Sequence, residues 1–220
     1  MCGKFTQKPE WQGITTLEEL QAAAEAGSRL VDTITPMRVA EVIRLDSQGV
    51  RETVRMRWGL VPANAEDQSV GTKFIHARAE TIDEKPTYRD AFEKRRGLLI
   101  VETFNEGEEI SPSKTIQYVI QPKDRRPLAI AVIWEAWRKG PVPLLSFAMV
   151  TTPANPLIGK ITDRMPAVLP PKHWAKWLGE EPATAQELKA LLIPAQGDWE
   201  MTQAKKPAPP PKPPAQASLF

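Results

Sequence analysis

The chain has 220 residues, of which 41% are hydrophobic and 25% are charged, and its formal net charge is +2. This length suits one domain with a full core, and the composition is that of a globular protein. No apolar run is long enough to span a membrane and no signal-peptide pattern begins the sequence, so we expect a cytoplasmic protein.

The charge and the cysteine content exclude several classes of site. Lys205, Lys206 and Lys212 lie in a tail without acidic residues, and subtracting them from +2 leaves residues 1–204 at −1. Bulk charge therefore does not indicate a nucleic-acid-binding protein, and any such binding must come from a local patch. The single cysteine excludes an internal disulfide, and with only two histidines it argues against a structural zinc site. We expect no metal and no cofactor.

The first part of the chain predicts a helix and a β-hairpin. Thr16 and Glu19 form a capping-box pattern before an alanine-rich run, which predicts a helix over 17–26 that ends at Gly27. The runs 39–45 and 50–58 are typical of strands and flank a turn sequence, so they predict a hairpin with a longer loop.

The middle of the chain predicts a loop, a short helix and several strands. The polar segment 64–73 is loop-like, 74–81 is too short and mixed to assign, and 88–95 predicts a short helix after Pro86. Apolar runs with β-branched residues, separated by segments with Pro and Gly, favour an antiparallel sheet. These runs are 97–104, 115–120, 128–134 and 144–151.

Helices return at 171–178, before Gly179, and in a run capped by Thr184 that reaches Leu192. Clustered strands with helices at the flanks predict an α+β fold with an antiparallel, curved or barrel-like sheet. We interpret residues 1–204 as one domain.

Residues 205–220 form a proline-rich tail that cannot bury a core and is typical of an extended polyproline spacer. The tail ends in Gln216, Leu219 and Phe220, with the spacing of the bacterial sliding-clamp-binding motif, which it resembles. Such a segment would act as a short linear anchor with an apolar pair in a pocket. The alternatives are that these residues pack on their own domain or have no role.

The second residue carries the most distinctive chemistry of the sequence. Methionine aminopeptidase acts before small residues, so removal of Met1 would leave Cys2 with an α-amine and a thiol on adjacent carbons. These groups titrate near ~8 and ~8.5, so a fraction of each is nucleophilic at neutral pH. With an aldehyde they would form an imine and then a thiazolidine ring. The alternatives are a cysteine without function, or a retained Met1 that blocks the amine.

Six short segments resemble the SOS response-associated peptidase (SRAP) family in order and approximate spacing, over about residues 2–180. They are Met1-Cys2-Gly3-Lys4-Phe5, Trp58-Gly59-Leu60-Val61-Pro62, Ala77-Arg78-Ala79-Glu80-Thr81, Phe104-Asn105-Glu106, Ala131-Val132-Ile133-Trp134-Glu135 and Asp163-Arg164-Met165-Pro166. The resemblance implies an SRAP-like fold and covalent capture of abasic sites in single-stranded DNA through a thiazolidine. It also implies that the protein removes its own Met1.

The resemblance implies catalytic roles for several residues. Glu106 stands at the family's acid/base position, and the apolar run before it predicts the partial burial that raises a carboxyl pKa. His76 stands where the family has Asn, and Thr162 stands where it has His. We hypothesise that His76, which normally titrates near neutrality, has taken over proton transfer, while Thr162 keeps only a hydroxyl. The opposing interpretation is that both changes record lost catalysis.

The resemblance also implies a DNA-binding set. Arg78 and Arg164 match family arginines that hold phosphates, and Lys4 stands where the family has Arg. Two other function classes remain open from the sequence. One is an N-terminal-nucleophile amide hydrolase that uses Cys2. The other is a binding module for damaged single strands without chemistry.

Overall fold

The computed structural model describes residues 2–11, 13–25 and 30–204 of the chain. This part contains twelve strands in two sheets and four α-helices. The strands are β1 (Lys4–Gln7), β2 (Asp32–Ile34), β3 (Val39–Leu45), β4 (Arg51–Trp58), β5 (His76–Arg78), β6 (Arg96–Val101), β7 (Thr103–Ser111), β8 (Lys114–Pro122), β9 (Leu128–Trp137), β10 (Leu144–Pro153), β11 (Arg164–Pro166) and β12 (Trp199–Gln203). The α-helices are α1 (Leu17–Glu25), α2 (Pro86–Lys94), α3 (Trp174–Leu178) and α4 (Ala185–Ala190). Short 3-10 helices occupy Pro9–Trp11, Gln68–Lys73, Ala79–Thr81, Ile158–Lys160 and Pro171–His173.

Five strands close into a barrel in the order β10-β4-β3-β6-β9, because β9 also pairs with β10. Strand directions cannot alternate all the way around a ring with an odd number of members. One pair must therefore be parallel, and it is β4 with β10, where Trp58 is opposite Phe147. Beyond the barrel, β5 pairs parallel and β11 pairs antiparallel with the end of β10.

A second, open sheet has the antiparallel order β12-β8-β7-β1-β2. Strand β1 lies between β2 and β7, with Phe5 opposite both Ile34 and Phe104. The start of the chain is therefore held inside a sheet. This position fixes Cys2, which lies two residues before Lys4, against the body of the protein.

Strand β6 of the barrel is buried on both of its faces. On β6, Leu98 belongs to a core cluster with Phe92 of α2 and Trp177 of α3, whereas Leu99 belongs to a second cluster with Phe5 of β1. Since successive strand side chains point to opposite faces, the helices cover one face of the barrel strands and the open sheet contributes to the core on the other. Cys2 belongs to the second cluster.

Two glycines bring the 3-10 helix Gln68–Lys73 against the end of β4. Gly59 has φ +131°, and a Cβ on it would lie 2.8 Å from the carbonyl oxygen of Gly71. A Cβ on Gly71 would lie 2.6 Å from the carbonyl oxygen of Gly59. Only glycine permits this backbone approach, which positions Thr72 and Lys73 at the rim of the cleft described below.

The predicted α+β class and barrel-like sheet are confirmed, although the sheets also contain two parallel pairs. The predicted strand 97–104 is wrong in one respect. It divides at Glu102 into β6 and β7, which belong to different sheets. The predicted loop 64–73 contains a 3-10 helix, and the helix after Thr184 ends at Ala190 rather than Leu192.

Several predictions fall partly or wholly outside the described residues. The end of the predicted helix 17–26 is one, and the tail 205–220 with its clamp-like motif is another. In the described part of the chain, no helix is both long and apolar enough to cross a membrane.

Candidate functional site

Cys2 lies at the entrance to β1 and its side chain is fully buried. Its Sγ donates a hydrogen bond to the carbonyl oxygen of Lys4, at 3.4 Å. Burial raises the pKa of the Cys2 thiol to about 12, and the nearby charge of Glu106 adds to the rise. The expected pKa near ~8.5 is therefore wrong for this environment. The thiol is neutral at physiological pH and needs a base before it can attack.

Glu106 lies on β7 next to Cys2, because β1 pairs with β7 in a register that sets Lys4 opposite Asn105. Its side chain is 1% exposed. Burial raises the pKa of Glu106 to about 7, with a smaller rise from Asp163 and an opposing effect from the backbone of Cys2. A carboxyl with this pKa is half protonated at neutrality, so it can give or take a proton.

His76 lies at the start of β5, opposite Met149 of β10. Its ring meets the edge of Trp58 at a centroid distance of 5.9 Å. Both ring nitrogens are buried and make no hydrogen bond within the described residues. The backbone of Cys2 lies close enough to favour the protonated ring, but not in normal hydrogen-bond geometry.

The imidazole of His76 stays neutral at physiological pH. Burial lowers its pKa to about 4, and the positive charge of Arg164 contributes to the decrease. The expectation that His76 titrates near neutrality is therefore wrong. A neutral imidazole still offers one donor and one acceptor nitrogen, so His76 can accept one hydrogen bond and donate another.

A cleft of about 460 Å³ opens beside Cys2. Three of its side chains are cationic and exposed, and within the described residues Lys73, Arg78 and Lys85 form no ion pair. The cleft is thus a positively charged groove that leads to a thiol. Its lining residues are Cys2, Gly3, Thr72, Lys73, Ile75, His76, Arg78, Lys85 and Tyr88.

Tyr88 connects the helical wall of the cleft to the strand that carries His76. It is buried on α2, and its hydroxyl donates to the carbonyl oxygen of His76 at 3.0 Å. Its ring also meets Phe74 edge to face. This contact fixes the distance between Lys85, at the start of α2, and β5.

Arg164 is buried and its guanidinium is already paired. It makes a bidentate ion pair with Glu80, with N···O distances of 2.6 and 2.9 Å. It also donates to the carbonyl oxygen of Thr151 at 2.7 Å. Because β5 and β11 flank opposite sides of β10 at Thr151, Arg164 crosses that strand and ties the two neighbours together.

The remaining predicted site residues lie outside the cleft lining. Lys4 is half-buried on β1 and accepts the thiol hydrogen bond through its carbonyl group. Thr162 is half-buried between the 3-10 helix Ile158–Lys160 and β11, where its backbone N–H donates to Ile158. Its neighbour Asp163 is close enough to influence Glu106, so this segment borders the site from the Glu106 side.

The structure thus brings Cys2, His76 and Arg78 into one cleft, with Glu106 behind the cysteine. The sequence prediction missed Lys73, Lys85, Thr72 and Tyr88 as cleft residues. The Lys85-Pro86 step does mark a helix start, but no signal in the sequence relates it to Cys2. Across the described ranges, no group of three or more His, Cys, Asp or Glu side chains is placed to hold a metal ion.

The fold joins a closed barrel to an open sheet, and this arrangement presents the second residue to a cationic cleft. The family model for the SOS response associated peptidase (SRAP) matches residues 1–207. The chain belongs to this family.

Named relatives agree with this assignment. The chain is 30% identical over 201 residues to the abasic site processing protein YoqW of Bacillus subtilis, covering 90% of this chain and 89% of that protein. It is 26% identical over 170 residues to the abasic site processing protein HMCES of Gallus gallus, covering 66% of this chain and 51% of that protein.

The fold recurs in crystal structures of bacterial proteins. One from Bordetella bronchiseptica superimposes with a TM-score of 0.73 at 22% identity, covering 93% of this chain and 100% of that one. One from Bacteroides thetaiotaomicron superimposes with a TM-score of 0.70 at 22% identity, covering 91% of this chain and 92% of that one.

The buried carboxyl of Glu106 predicts a pH-dependent loss of stability. Its pKa in the folded protein, about 7, lies above the ordinary value of 4.5. Folding therefore resists its ionisation, and stability falls as pH rises through this window. Glu106→Gln should leave stability unchanged at pH 4 and increase it by roughly 2–3 kcal/mol at pH 8. Urea unfolding at both pH values measures the difference.

The matched control is Glu109→Gln, because Glu109 is exposed on the same strand. This control should change stability by less than about 0.5 kcal/mol at either pH. Equal stability of wild type and Glu106→Gln at pH 8 would show that burial does not raise the pKa of Glu106.

Proposed function

We propose that this protein processes abasic sites in single-stranded DNA by covalent capture, with Cys2 as the reacting residue after removal of Met1. The observation that carries the proposal is the position of Cys2, which lines a cationic cleft and lies next to a carboxyl whose pKa is about 7. The names of two relatives, both abasic site processing proteins, support the same substrate.

The protonation states suggest an order of steps. The thiol of Cys2 is neutral, so the free α-amine attacks the sugar aldehyde first. Glu106 in its acid form protonates the departing hydroxyl, which leaves as water, and its carboxylate then takes the proton of the nitrogen to give a neutral imine. The thiol then adds to the same carbon while its proton moves to the ring nitrogen, and a thiazolidine results. Removal of Met1 by the protein itself would use Glu106 as the general base.

His76 and Thr162 have different roles in this chemistry. His76 lines the cleft with two buried ring nitrogens that lack partners among the described residues. A neutral imidazole there can take the thiol proton at one ring nitrogen while it gives its own proton from the other, so that no imidazolium forms. Thr162 cannot titrate. We therefore assign proton transfer to His76 and to Glu106, and only a hydrogen-bonding role to Thr162.

The DNA phosphates would bind to the cationic side chains of the cleft. Arg78 is exposed at its rim and is the direct phosphate contact of the predicted set. Lys4 lies outside the cleft lining, and Arg164 would have to exchange Glu80 for a phosphate. Binding through a few such charges would be strongly salt-dependent.

One denaturing gel with an oligonucleotide that contains an abasic site tests the proposed function. A shifted band that resists denaturant and disappears in Cys2→Ser supports capture. A shift on a native gel alone would instead indicate a binding module without chemistry. No effect on DNA would favour an N-terminal-nucleophile amide hydrolase. Intact mass must first show that Met1 has been lost, because its presence blocks the α-amine.

We also propose that the tail anchors the protein to the bacterial sliding clamp through Gln216, Leu219 and Phe220. Deleting residues 216–220 should abolish clamp binding, since the apolar pair would fill the clamp's pocket. Biolayer interferometry on immobilised clamp measures this loss. Leu219→Ala with Phe220→Ala should match the deletion, and capture of abasic DNA should not change. Undiminished clamp binding by the deletion variant would contradict the proposal.

A further inference from the structure

The cleft beside Cys2 has the size and the charge to accept a small anion as well as a DNA strand. Its volume of about 460 Å³ falls within the ~300–1,000 Å³ typical of small-molecule sites. The three cations of its walls come from separate elements: Lys73 ends a 3-10 helix, Arg78 ends β5 and Lys85 precedes α2. None forms an ion pair within the described residues, so their positive field is available to a ligand.

The reactive end of the cleft does not require a polymer. A 1,2-aminothiol closes a ring with any unhindered aldehyde, and nothing in that reaction involves the rest of a DNA strand. Both ring nitrogens of His76 are buried in the cleft wall without a partner in the described part of the chain. They can hydrogen-bond the aldehyde oxygen or a neighbouring hydroxyl of a short sugar.

We propose that the cleft also captures free phosphorylated aldehydes, with Cys2 bonding the aldehyde carbon and Lys73, Arg78 and Lys85 holding the phosphate. This activity rests on the proposed function, because it needs the same free amine and thiol. The amine nitrogen and the sulfur each lose one hydrogen, and both hydrogens leave with the carbonyl oxygen as water. The carbon gains a bond to nitrogen and a bond to sulfur, so no oxidant or reductant is required.

The consequence is competition at one residue. A short phosphorylated aldehyde that closes the ring would occupy Cys2 and block the capture of DNA. The cationic walls make the phosphorylated form the preferred small ligand, since a cleft of one charge sign raises the association rate of opposite charges by about 10-fold to 1,000-fold. An uncharged aldehyde of the same size lacks this advantage.

The experiment compares glyceraldehyde 3-phosphate with glyceraldehyde, using full-length protein whose loss of Met1 is verified by intact mass. Adduct formation is followed by mass spectrometry as a gain of the aldehyde mass less one water. Each rate is divided by the rate of the same aldehyde with free cysteine, which removes the difference in intrinsic reactivity. We expect the normalised rate to be at least about tenfold higher for the phosphorylated aldehyde at low salt.

Charge reversal tests the assigned phosphate site. Lys85→Glu should remove most of the preference for the phosphorylated aldehyde. Lys114→Glu is the matched control, since Lys114 is exposed on β8, outside the cleft, and gives the same change in net charge. It should retain the preference.

The outcomes separate this proposal from the proposed function. Equal normalised rates for the two aldehydes, or an equal loss of preference in Lys85→Glu and Lys114→Glu, would overturn the phosphate site. Absence of any small adduct, in protein that crosslinks an abasic oligonucleotide, would overturn the further activity and leave DNA capture in place. Failure of both reactions would remove the proposed function as well.

Discussion

Glu106→Gln should lower the rate of covalent capture of an abasic site by about 100-fold to 1,000-fold, because general acid–base catalysis contributes about 10²–10⁴ to such steps. The amide keeps the shape and the polarity of the side chain but cannot give or take a proton. Binding of undamaged single strands should stay within about threefold, since the phosphate contacts lie elsewhere. Single-turnover crosslinking on denaturing gels measures the rate, and fluorescence anisotropy measures the binding.

The pH profile identifies the role of this carboxyl. The acid form of Glu106 declines above a pKa of about 7, whereas the free amine increases toward its pKa near ~8. If protonated Glu106 expels water, the wild-type rate should pass through a maximum between these values and fall at higher pH. The alkaline decline should be absent in Glu106→Gln.

Two controls make this prediction specific. Cys2→Ser retains the amine but should give no denaturant-stable product, because an imine without the sulfur is hydrolysed. Glu109→Gln, exposed on the same strand, should capture at the wild-type rate. A rate for Glu106→Gln within about twofold of wild type would contradict the expected catalytic contribution of this carboxyl.

The long strands could be predicted from the sequence because their pattern is local. On β9, for example, apolar side chains continue over most of the strand, as expected for a strand buried on both faces. Short strands carry no such signal. β1, β5 and β11 have only three or four residues, and their conformation is set by pairing with β7 or β10. For β1 and β5 these partners are distant in the sequence.

The candidate site likewise has features that could be predicted from the sequence and features that could not. The burial of Glu106 could be expected from the apolar run before it, whose last residue, Phe104, lies on the same strand. The pKa of His76 could not be predicted from the sequence, since it depends on the removal of both ring nitrogens from water by residues from other elements. The pairing of Arg164 with Glu80, 84 residues apart, likewise follows only from the way both flank β10.

His76→Ala should reduce covalent capture by about 10-fold to 100-fold, at the lower end of what a positioned proton-transfer group contributes. The buried imidazole is neutral because its pKa is about 4, so its contribution should not change between pH 5.5 and 8. The pH profile should therefore keep the wild-type shape at a lower rate. Thr162→Ala should change the rate by less than about threefold, which is within the loss of one hydrogen bond. Both variants are measured by single-turnover crosslinking.

His76→Asn separates proton transfer from positioning, because an amide can donate and accept hydrogen bonds but cannot relay a proton. If His76 accepts the proton of the neutral Cys2 thiol, this variant should be as slow at ring closure as His76→Ala. If the imidazole only orients Cys2, His76→Asn should recover most of the wild-type rate. Thermal unfolding controls for the loss of the ring contact with Trp58. Full activity of His76→Ala in folded protein would mean that His76 has not taken over proton transfer. Glu106 would then have to serve as acid for the departing water and as base for the thiol, a double role that a pKa of about 7 permits.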